Sequence, residues 1–167
     1  MPEAGAFAGA DPSDHGHFDH IMAAEELKKE WGIKICACEK ELEVLRDSKK
    51  NLMMDYYRKD YTLEPDLTVC DGETFEAAGV TWKVIETPGH TIGSCCYYIE
   101  SEDLLFAGDT LFRTSYGRVD LPTGDAMSML ASVKKLLTLP ETVKVYPGHM
   151  GVTSIEYEKK HNPLARY

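Results

Sequence analysis

The sequence lacks every feature that would place the protein in a membrane or on a nucleic acid. No apolar run approaches the length of a membrane span. Lysine and arginine form only short pairs such as Lys49-Lys50 and Lys159-Lys160, and the formal net charge is -10 at pH 7. Residues 1–13 contain neither the charged region nor the apolar region of a secretory signal. We therefore expect a soluble, cytoplasmic protein without a membrane or nucleic-acid partner.

A disulfide framework is missing as well, because the cysteines are odd in number and stand at adjacent or alternate positions. They are Cys36, Cys38, Cys70, Cys95 and Cys96. Small buried thiols in a reducing cytoplasm are the favoured interpretation. A zinc site on Cys36 and Cys38 is the alternative, although no second pair at ligand spacing accompanies them. With 43% hydrophobic and 28% charged residues, the 167-residue chain has the composition of one globular domain.

The chemistry-bearing side chains concentrate between Asp14 and His20, where three histidines and an aspartate occupy six consecutive positions. His15 and His17 are two apart, so both imidazoles point the same way on an extended segment. Asp19 and His20 follow where a helix begins, so the chain turns between the two pairs. Such a corner can present the pairs to two neighbouring divalent metal ions. A polar loop or the remnant of an affinity tag is the plainer alternative, but a tag would lack the interleaved Gly, Phe and Asp.

Three further metal-binding residue types follow strand-like runs. His90 lies in the turn TPGHT, Asp109 ends the apolar run LLFAGD, and His149 ends the run VYPGH. Taken singly, each is ordinary turn chemistry. Loops at strand ends are nevertheless where rigid folds place their reactive groups. Because five of the six histidines fall in these four places, we expect them to form one site.

At this point the sequence resembles a known family. The run His-x-His-x-Asp-His, followed in order by His90, Asp109 and His149, resembles the five-motif signature of the metallo-β-lactamase fold. The stretches TPGHTIGS, LFAGDTLF, RTSYGRVDLPTGD and YPGHM narrow the resemblance to the short, single-domain glyoxalase II-like hydrolases. It extends from residue 14 to about residue 164. It implies an α/β fold, the αββα sandwich of that family.

The resemblance also implies two divalent metal ions, held by two sets of ligands that share one bridging carboxylate. The first set is His15, His17 and His90, the second is Asp19, His20 and His149, and the bridge is Asp109. Zinc is the first expectation, with iron or manganese as alternatives, and Asp19 and Asp109 are the expected catalytic residues. Metal ions lower the pKa of bound water from ~15.7 to about 7, which supplies a nucleophile at neutral pH. The implied activity is a glyoxalase II-like thioesterase that hydrolyses hydroxyacyl-glutathione or a similar small-molecule thioester.

Two other functions compete with this one. A mononuclear iron persulfide dioxygenase-like enzyme would use only the side of the site with His15, His17 or His90, and Asp109. A truncated chain could also bind metal without turnover. For substrate binding, Arg113 and Tyr116 are the nearest candidates to hold a carboxylate, whereas Arg118 is interpreted as the partner of Asp120 in a structural ion pair.

The chain departs from the family ahead of the motif. Family members carry several strands and a helix there, but residues 1–13 are rich in Ala, Gly and Pro and show no periodic pattern. We therefore predict a disordered segment over 1–13 and a metallo-β-lactamase-like domain over 14–167, N-terminally truncated relative to the family. The strand that normally runs into the motif is expected to be absent. An incomplete sheet favours pairing with another copy, so we predict either a strand-exchanged homo-oligomer or a marginally stable monomer.

The rest of the sequence alternates helix-like and strand-like stretches. A helix is predicted over 21–31, with Ile21, Ala24, Leu27 and Trp31 on its buried stripe and Gly32 as its C-cap. The other predicted elements are a strand over 33–38, a helix over 39–46, a packed connecting loop over 47–66, strands between 67 and 107 that include a hairpin around 100–103, a helix capped by Asp125, a last strand over 143–146 and a last helix over 155–160. The segment 47–66 is alternatively one wall of a substrate groove, built from its methionines and tyrosines.

Overall fold

The computed structural model describes residues 10–167. Its strands are β1 (Ala10–Pro12), β2 (Lys34–Cys38), β3 (Leu67–Val69), β4 (Thr74–Ala77), β5 (Val80–Glu86), β6 (Cys95–Ile99), β7 (Leu104–Gly108), β8 (Leu111–Phe112), β9 (Ser115–Tyr116), β10 (Lys144–Pro147) and β11 (Thr153–Ser154). Its α-helices are α1 (Phe18–Ile21), α2 (Ala24–Trp31), α3 (Leu42–Leu45), α4 (Met53–Tyr57), α5 (Ala126–Leu136) and α6 (Ile155–His161). Short 3-10 turns cover Glu39–Glu41, Glu100–Glu102 and Pro163–Arg166.

The strands form two main sheets. The larger has the order β11-β10-β7-β6-β5-β4 and the smaller has the order β1-β2-β3, while β8 and β9 form a separate ribbon. One buried cluster lies between the sheets, and further clusters lie under the helices on either side. The arrangement is the predicted αββα sandwich.

The larger sheet is built on the predicted hairpin, in which β6 and β7 pair antiparallel. Its outer face packs against α5, where Met129, Val133 and Leu136 are fully buried against β-strand residues such as Leu105. The Oδ2 atom of Asp125 accepts a hydrogen bond of 2.7 Å from the Ser128 N–H, which confirms the predicted N-cap. The apolar stripe of α5 therefore packs this helix onto the larger sheet, as the sequence predicts.

The inner face of the larger sheet packs against the smaller sheet. Cys36, Cys38 and Cys95 are buried in or beside this interface, and Cys96 is buried on the opposite face, whereas Cys70 is exposed. All five thiols are free, as predicted. Within residues 10–167, no cysteine belongs to a group of three or more side chains close enough to hold a metal ion. The alternative of a zinc site on Cys36 and Cys38 therefore finds no support.

The segment ahead of the motif differs from its prediction. Residues 1–9 lie outside the described residues, but Ala10–Pro12 form β1, which pairs parallel with β2. The Ser13 N–H also donates to the Cys36 carbonyl at 2.9 Å. The expectation of disorder up to residue 13, with no strand before the motif, is wrong for this part. This edge strand is formed by backbone hydrogen bonds, which the side-chain pattern of the sequence does not reveal. Proline is tolerated there because an edge strand leaves one row of N–H groups unpaired.

The first predicted helix is also different. The structure divides it into α1 and α2, and Trp31 at the end of α2 is 65% exposed, not part of the buried stripe. Ile21 and Ala24 pack with Ile35, Ala37, Leu45 and Leu63, and Trp31 lies beyond that cluster. Gly32 is the C-cap in the left-handed conformation, with φ +65°, as predicted. None of the helices within residues 10–167 is long and apolar enough to cross a membrane.

Candidate metal centre

The predicted ligands meet at one edge of the sandwich because the strands that precede them run in the same direction. Strand β5 pairs antiparallel with β6, β6 antiparallel with β7, and β7 parallel with β10. The carboxyl ends of β5, β7 and β10 therefore lie at one edge, where the chain places His90, Asp109 and His149. The loop from β1 into α1 adds His15 and His17, and α1 itself adds Asp19 and His20.

Three of these side chains form a buried set, which we call the three-histidine group: His15, His17 and His90. They are 1%, 2% and 3% exposed, and their ligand atoms lie within 4.8 Å of one another. His17 Nδ1 is 2.9 Å from His90 Nε2. Both ring nitrogens of His15 and Nε2 of His17 are buried without a hydrogen-bond partner. Unpartnered buried nitrogens are costly, and a metal ion between them would satisfy them.

Three others form a more exposed set, which we call the rim group: Asp19, His20 and His149. His149 Nε2 lies 3.3 Å from Asp19 Oδ2 and 3.4 Å from His20 Nε2. The His149 and Asp19 side chains are 51% and 40% exposed. The set offers two imidazoles and one carboxylate, which are ligands that divalent transition metals accept.

Asp109 lies between the two groups. Its Oδ2 atom is 3.5 Å from His90 Nε2 and 3.4 Å from His149 Nε2, and its Oδ1 atom is 3.6 Å from His20 Nε2. Oδ1 is buried and has no hydrogen-bond partner. Burial also raises the pKa of this carboxyl, against the opposing charges of His15, His20 and His149. One carboxylate thus reaches both groups, as a bridging ligand must.

Two histidines of the three-histidine group, His17 and His90, are held in the neutral form that binds metal. Burial, reinforced by the neighbouring histidines, lowers the pKa of His17 to about 2 and that of His90 to about 4. The Nδ1–H of His90 donates to the Arg118 carbonyl oxygen at 2.7 Å. This hydrogen bond fixes the tautomer of His90 and leaves Nε2 free to face Asp109.

Asp14 takes part in the site although our sequence reasoning did not include it. Its Oδ1 atom accepts a hydrogen bond of 3.0 Å from His20 Nδ1, which turns His20 Nε2 toward the rim group. Burial lowers the pKa of His20, but the hydrogen bond and charge of Asp14 outweigh it and raise the pKa to about 9. Asp14, His15 and His20 also form a third set that could hold a metal ion. The sequence feature that could have indicated this role of Asp14 is its position directly before His15, the first histidine of the motif.

The glycine before His149 is required by the crowding at the centre. A Cβ atom on Gly148 would lie 2.5 Å from Asp109 Oδ1 and 2.7 Å from His20 Cε1. Any side chain at this position would displace the bridging carboxylate or a rim histidine. The Gly-His turn that the sequence shows after β10 therefore has a steric reason.

A groove of about 440 Å³ opens over the two groups. Tyr116 lines it, as predicted for a substrate contact, but Arg113 does not, because its guanidinium lies 5.2 Å from the centre of the Tyr157 ring. Arg118 also lines the groove, and its Nε and Nη2 donate to the two carboxylate oxygens of Asp120 at 2.7 and 2.8 Å. This is the predicted ion pair.

The opposite wall of the groove comes from residues that were interpreted as a connecting loop. Leu52, which precedes α4, and Tyr56, which lies within it, line the groove together with Phe18. The Phe18 and Tyr56 ring centres are 5.0 Å apart. The alternative interpretation of this segment, an apolar and aromatic wall, therefore describes it better than the loop that we favoured.

Comparison with known proteins gives consistent matches. A family model described as the metallo-beta-lactamase superfamily matches residues 15–149. The hydroxyacylglutathione hydrolase GloC of Haemophilus influenzae is 31% identical over 153 residues, which cover 90% of this chain and 72% of that protein. The crystal structure of BLEG-1 B3 metallo-beta-lactamase has a TM-score of 0.88 at 36% identity, over 95% of this chain and 77% of that one. The crystal structure of TTHA1623 in a di-iron-bound form has a TM-score of 0.82 at 29% identity, over 93% and 76% of the two chains.

Proposed function

The chain belongs to the metallo-beta-lactamase superfamily, and from that premise we propose that it is a dinuclear metal-dependent hydrolase of thioesters of the hydroxyacyl-glutathione type. The observation that carries the proposal is the position of Asp109, whose carboxylate lies within 3.6 Å of both the three-histidine group and the rim group. The name of the relative GloC supports this substrate class.

The residues fit a pair of divalent metal ions. The donor atoms are imidazole nitrogens and carboxylate oxygens, and His15 Nε2, His17 Nε2 and Asp109 Oδ1 are buried without a hydrogen bond. His15, His17 and His90 would hold one ion, Asp19, His20 and His149 the other, and Asp109 both. When bound, such ions act as Lewis acids and lower the pKa of coordinated water from ~15.7 to about 7. Zinc suits this donor set, and the di-iron form of TTHA1623 supports iron as an alternative.

The chain's own side chains would orient the substrate above the metal centre. Phe18, Leu52 and Tyr56 form an apolar wall that can hold the acyl group, and on the facing side Tyr116 offers a hydroxyl. Arg118 is bound to Asp120 through only two of its donor nitrogens, so its Nη1 atom remains available for an anionic substrate group. We propose Tyr116 and Arg118, in place of Arg113, as the substrate contacts on this side.

A panel of substrates tests the proposed activity. Metal-loaded protein should hydrolyse a hydroxyacyl-glutathione thioester faster than a lactone, a phosphodiester or a β-lactam. The β-lactam belongs in the panel because of the similarity to BLEG-1. Chelator-treated protein is the control, and it should regain activity with Zn²⁺, Mn²⁺ or Fe²⁺. A preference for the β-lactam would contradict the proposed substrate, and activity that survives verified metal removal would contradict a metallohydrolase.

Three other expectations stay predictions. A mononuclear iron enzyme of the persulfide dioxygenase type would contain one ion per chain and consume oxygen. The homo-oligomer predicted from the small first sheet is measurable by size exclusion with light scattering. The cytoplasmic location rests on the sequence pattern alone.

A further inference from the structure

One buried carboxylate connects the two loops that carry the three-histidine group. Glu41 is 1% exposed and ends the 3-10 turn after β2. Its Oε1 atom accepts a hydrogen bond of 2.7 Å from the N–H of Gly16, the residue between His15 and His17. Its Oε2 atom accepts hydrogen bonds from the Thr91 hydroxyl at 2.9 Å and from the Gly93 N–H at 2.8 Å, in the loop of His90.

No lysine or arginine in the described part of the chain explains the burial of this carboxylate. Among residues 10–167, no lysine, arginine or histidine forms an ion pair with Glu41. Burial raises the pKa of Glu41, and the nearby His15 and the three donors oppose that rise. A buried carboxylate is costly unless hydrogen bonds compensate it. Here all three donors lie in the two loops that carry the histidines of the three-histidine group.

Gly93 approaches Glu41 too closely for any side chain, and Gly16 packs tightly against it. A Cβ atom on Gly16 would meet Oε1 of Glu41 at 3.1 Å and Val44 Cγ1 at 3.0 Å. A Cβ atom on Gly93 would collide with the Glu41 backbone. The carboxylate therefore lies in direct contact with the backbone of both loops, and its hydrogen bonds connect the two loops through one side chain.

We propose that Glu41 is a positioning residue that fixes the distance between the His15–His17 loop and the His90 loop, and so sets the metal affinity of the three-histidine group. This inference rests on the proposed dinuclear function. It goes beyond that function because Glu41 touches none of the seven ligands and lies 25 and 50 residues along the chain from Gly16 and Thr91. No residue of the rim group donates a hydrogen bond to Glu41, so the effect is specific to one ion.

Glu41→Gln tests the inference with almost no change of shape. An amide has one acceptor oxygen, and its NH₂ end would face an N–H group or a hydroxyl that now donates to a carboxylate oxygen. If the amide oxygen faces Thr91 and Gly93, the N–H of Gly16, between His15 and His17, has no acceptor. If the amide oxygen faces Gly16 instead, Thr91 and Gly93 in the His90 loop lose their acceptor.

Glu158→Gln is a matched control. Glu158 is another fully buried carboxylate without a lysine or arginine partner in the described part of the chain, and it accepts hydrogen bonds from the Thr114 N–H at 3.0 Å, the Thr153 hydroxyl at 2.6 Å and the Asn162 amide at 3.0 Å. None of these partners lies in the two histidine loops. Both substitutions should lower the melting temperature of the metal-free protein, so stability alone does not separate them.

The experiment is a Co²⁺ titration of the metal-free full chain, followed by visible absorption and by competition with a chelator. It is done in the wild-type chain and in a His149→Ala background, in which only the three-histidine ion remains. We expect Glu41→Gln to weaken that ion about 10- to 100-fold, to alter its absorption spectrum, and to leave the rim ion unchanged. Glu158→Gln should leave both affinities and the spectrum unchanged.

Three results would overturn the inference: wild-type affinity in Glu41→Gln, equal losses at both ions, or equal losses in the two variants. Should Glu41→Gln fail to fold, Thr91→Val removes one of the three donors at constant shape and should shift the same ion in the same direction. The readout is independent of turnover. A chain that binds metal as described but hydrolyses no thioester would contradict the proposed function and leave the role of Glu41 standing.

Discussion

The two halves of the metal centre differ in burial and in charge. The histidines of the three-histidine group are at most 3% exposed, and the low pKa values of His17 and His90 keep these two neutral. In the rim group His149 is half exposed and His20 is paired with Asp14, so His20 is a cation at neutral pH when no metal is bound. We infer that the buried ion binds without displacing a proton from His17 or His90, whereas the rim ion must displace the proton of His20 and is lost first.

The largest expected effect comes from removing the carboxylate that both groups share. Asp109→Ala should lower the occupancy of both ions and reduce hydrolysis below detection, because the Asp109 carboxylate reaches histidines of both groups. Metal analysis and thioester turnover measure the two effects. Asp60→Asn, at an exposed aspartate outside the groove and the ligand loops, is the control. Near-normal turnover of Asp109→Ala with metal present would show that the site is wrongly assigned.

The second largest effect is expected from a substitution in the three-histidine group, which leaves the ligands of the rim group unchanged. His90→Ala should abolish hydrolysis and weaken the buried ion strongly, while the protein stays mostly folded, since His90 lies in a turn after β5 and not in an apolar core cluster. Circular dichroism and a chelator competition separate folding from binding. Retained activity in a folded, metal-loaded variant would contradict the role of the three-histidine group.

A smaller effect concerns pH, and it has opposite signs in the two groups. In the metal-free protein the pKa values of His17 and His90 are lowered from 6.5, so their contribution to stability is present above pH 6.5 and is lost as the pH falls toward 4. The pKa of His20 is raised to about 9, so its contribution is present below pH 6.5 and is lost as the pH rises through 9. Each pKa unit corresponds to about 1.4 kcal/mol.

Melting temperatures from pH 4 to pH 10 in chelator should therefore fall on both sides of pH 6.5. His20→Gln should remove the alkaline decline and leave the acid one. With metal bound, protons compete with the ions for the histidines, so occupancy should fall on acidification through about pH 6, at the rim group first. A melting temperature that does not change over this range, or a buried ion that leaves before the rim ion, would contradict the difference between the groups.

The smallest effect belongs to Asp14. Asp14→Asn removes the charge that raises the pKa of His20 and weakens the hydrogen bond that orients its ring. We expect the rim ion to bind about 10- to 100-fold more weakly, with less proton uptake and release at neutral pH. Calorimetry in two buffers of different ionisation enthalpy measures both quantities. Asp14 Oδ1 also lies 3.3 Å from His15 Nδ1, so we expect a smaller loss of affinity at the buried ion. An equal loss there would mean that Asp14 serves the whole site.

The sequence predicted that the seven candidate ligands would come together in one site, because their signal is local. Four of them lie within six consecutive residues, and the others end apolar runs that become β5, β7 and β10. The hydrophobic pattern likewise predicted α5 and the β6–β7 hairpin. These features depend on neighbours in the chain, which a sequence displays directly.

The contacts that were not predicted depend on distant parts of the chain or on backbone geometry. Glu41 meets Gly16 and Thr91 only after β2 and β5 have packed together, and its sequence context resembles that of an ordinary charged turn. Arg113 and Arg118 both follow Asp109 closely, yet the loop directs one toward Tyr157 and the other into the groove. Strand β1 forms through backbone hydrogen bonds to β2 and carries no apolar alternation.

The account depends most on the claim that one chain holds two metal ions, one in each group. The direct test is to count the ions per chain after reconstitution with Zn²⁺ and removal of excess metal, in the wild type and in His149→Ala. We predict two ions in the wild type and one in the variant, which retains the three-histidine group. A single ion in the wild type, or two in His149→Ala, would contradict the dinuclear centre described here.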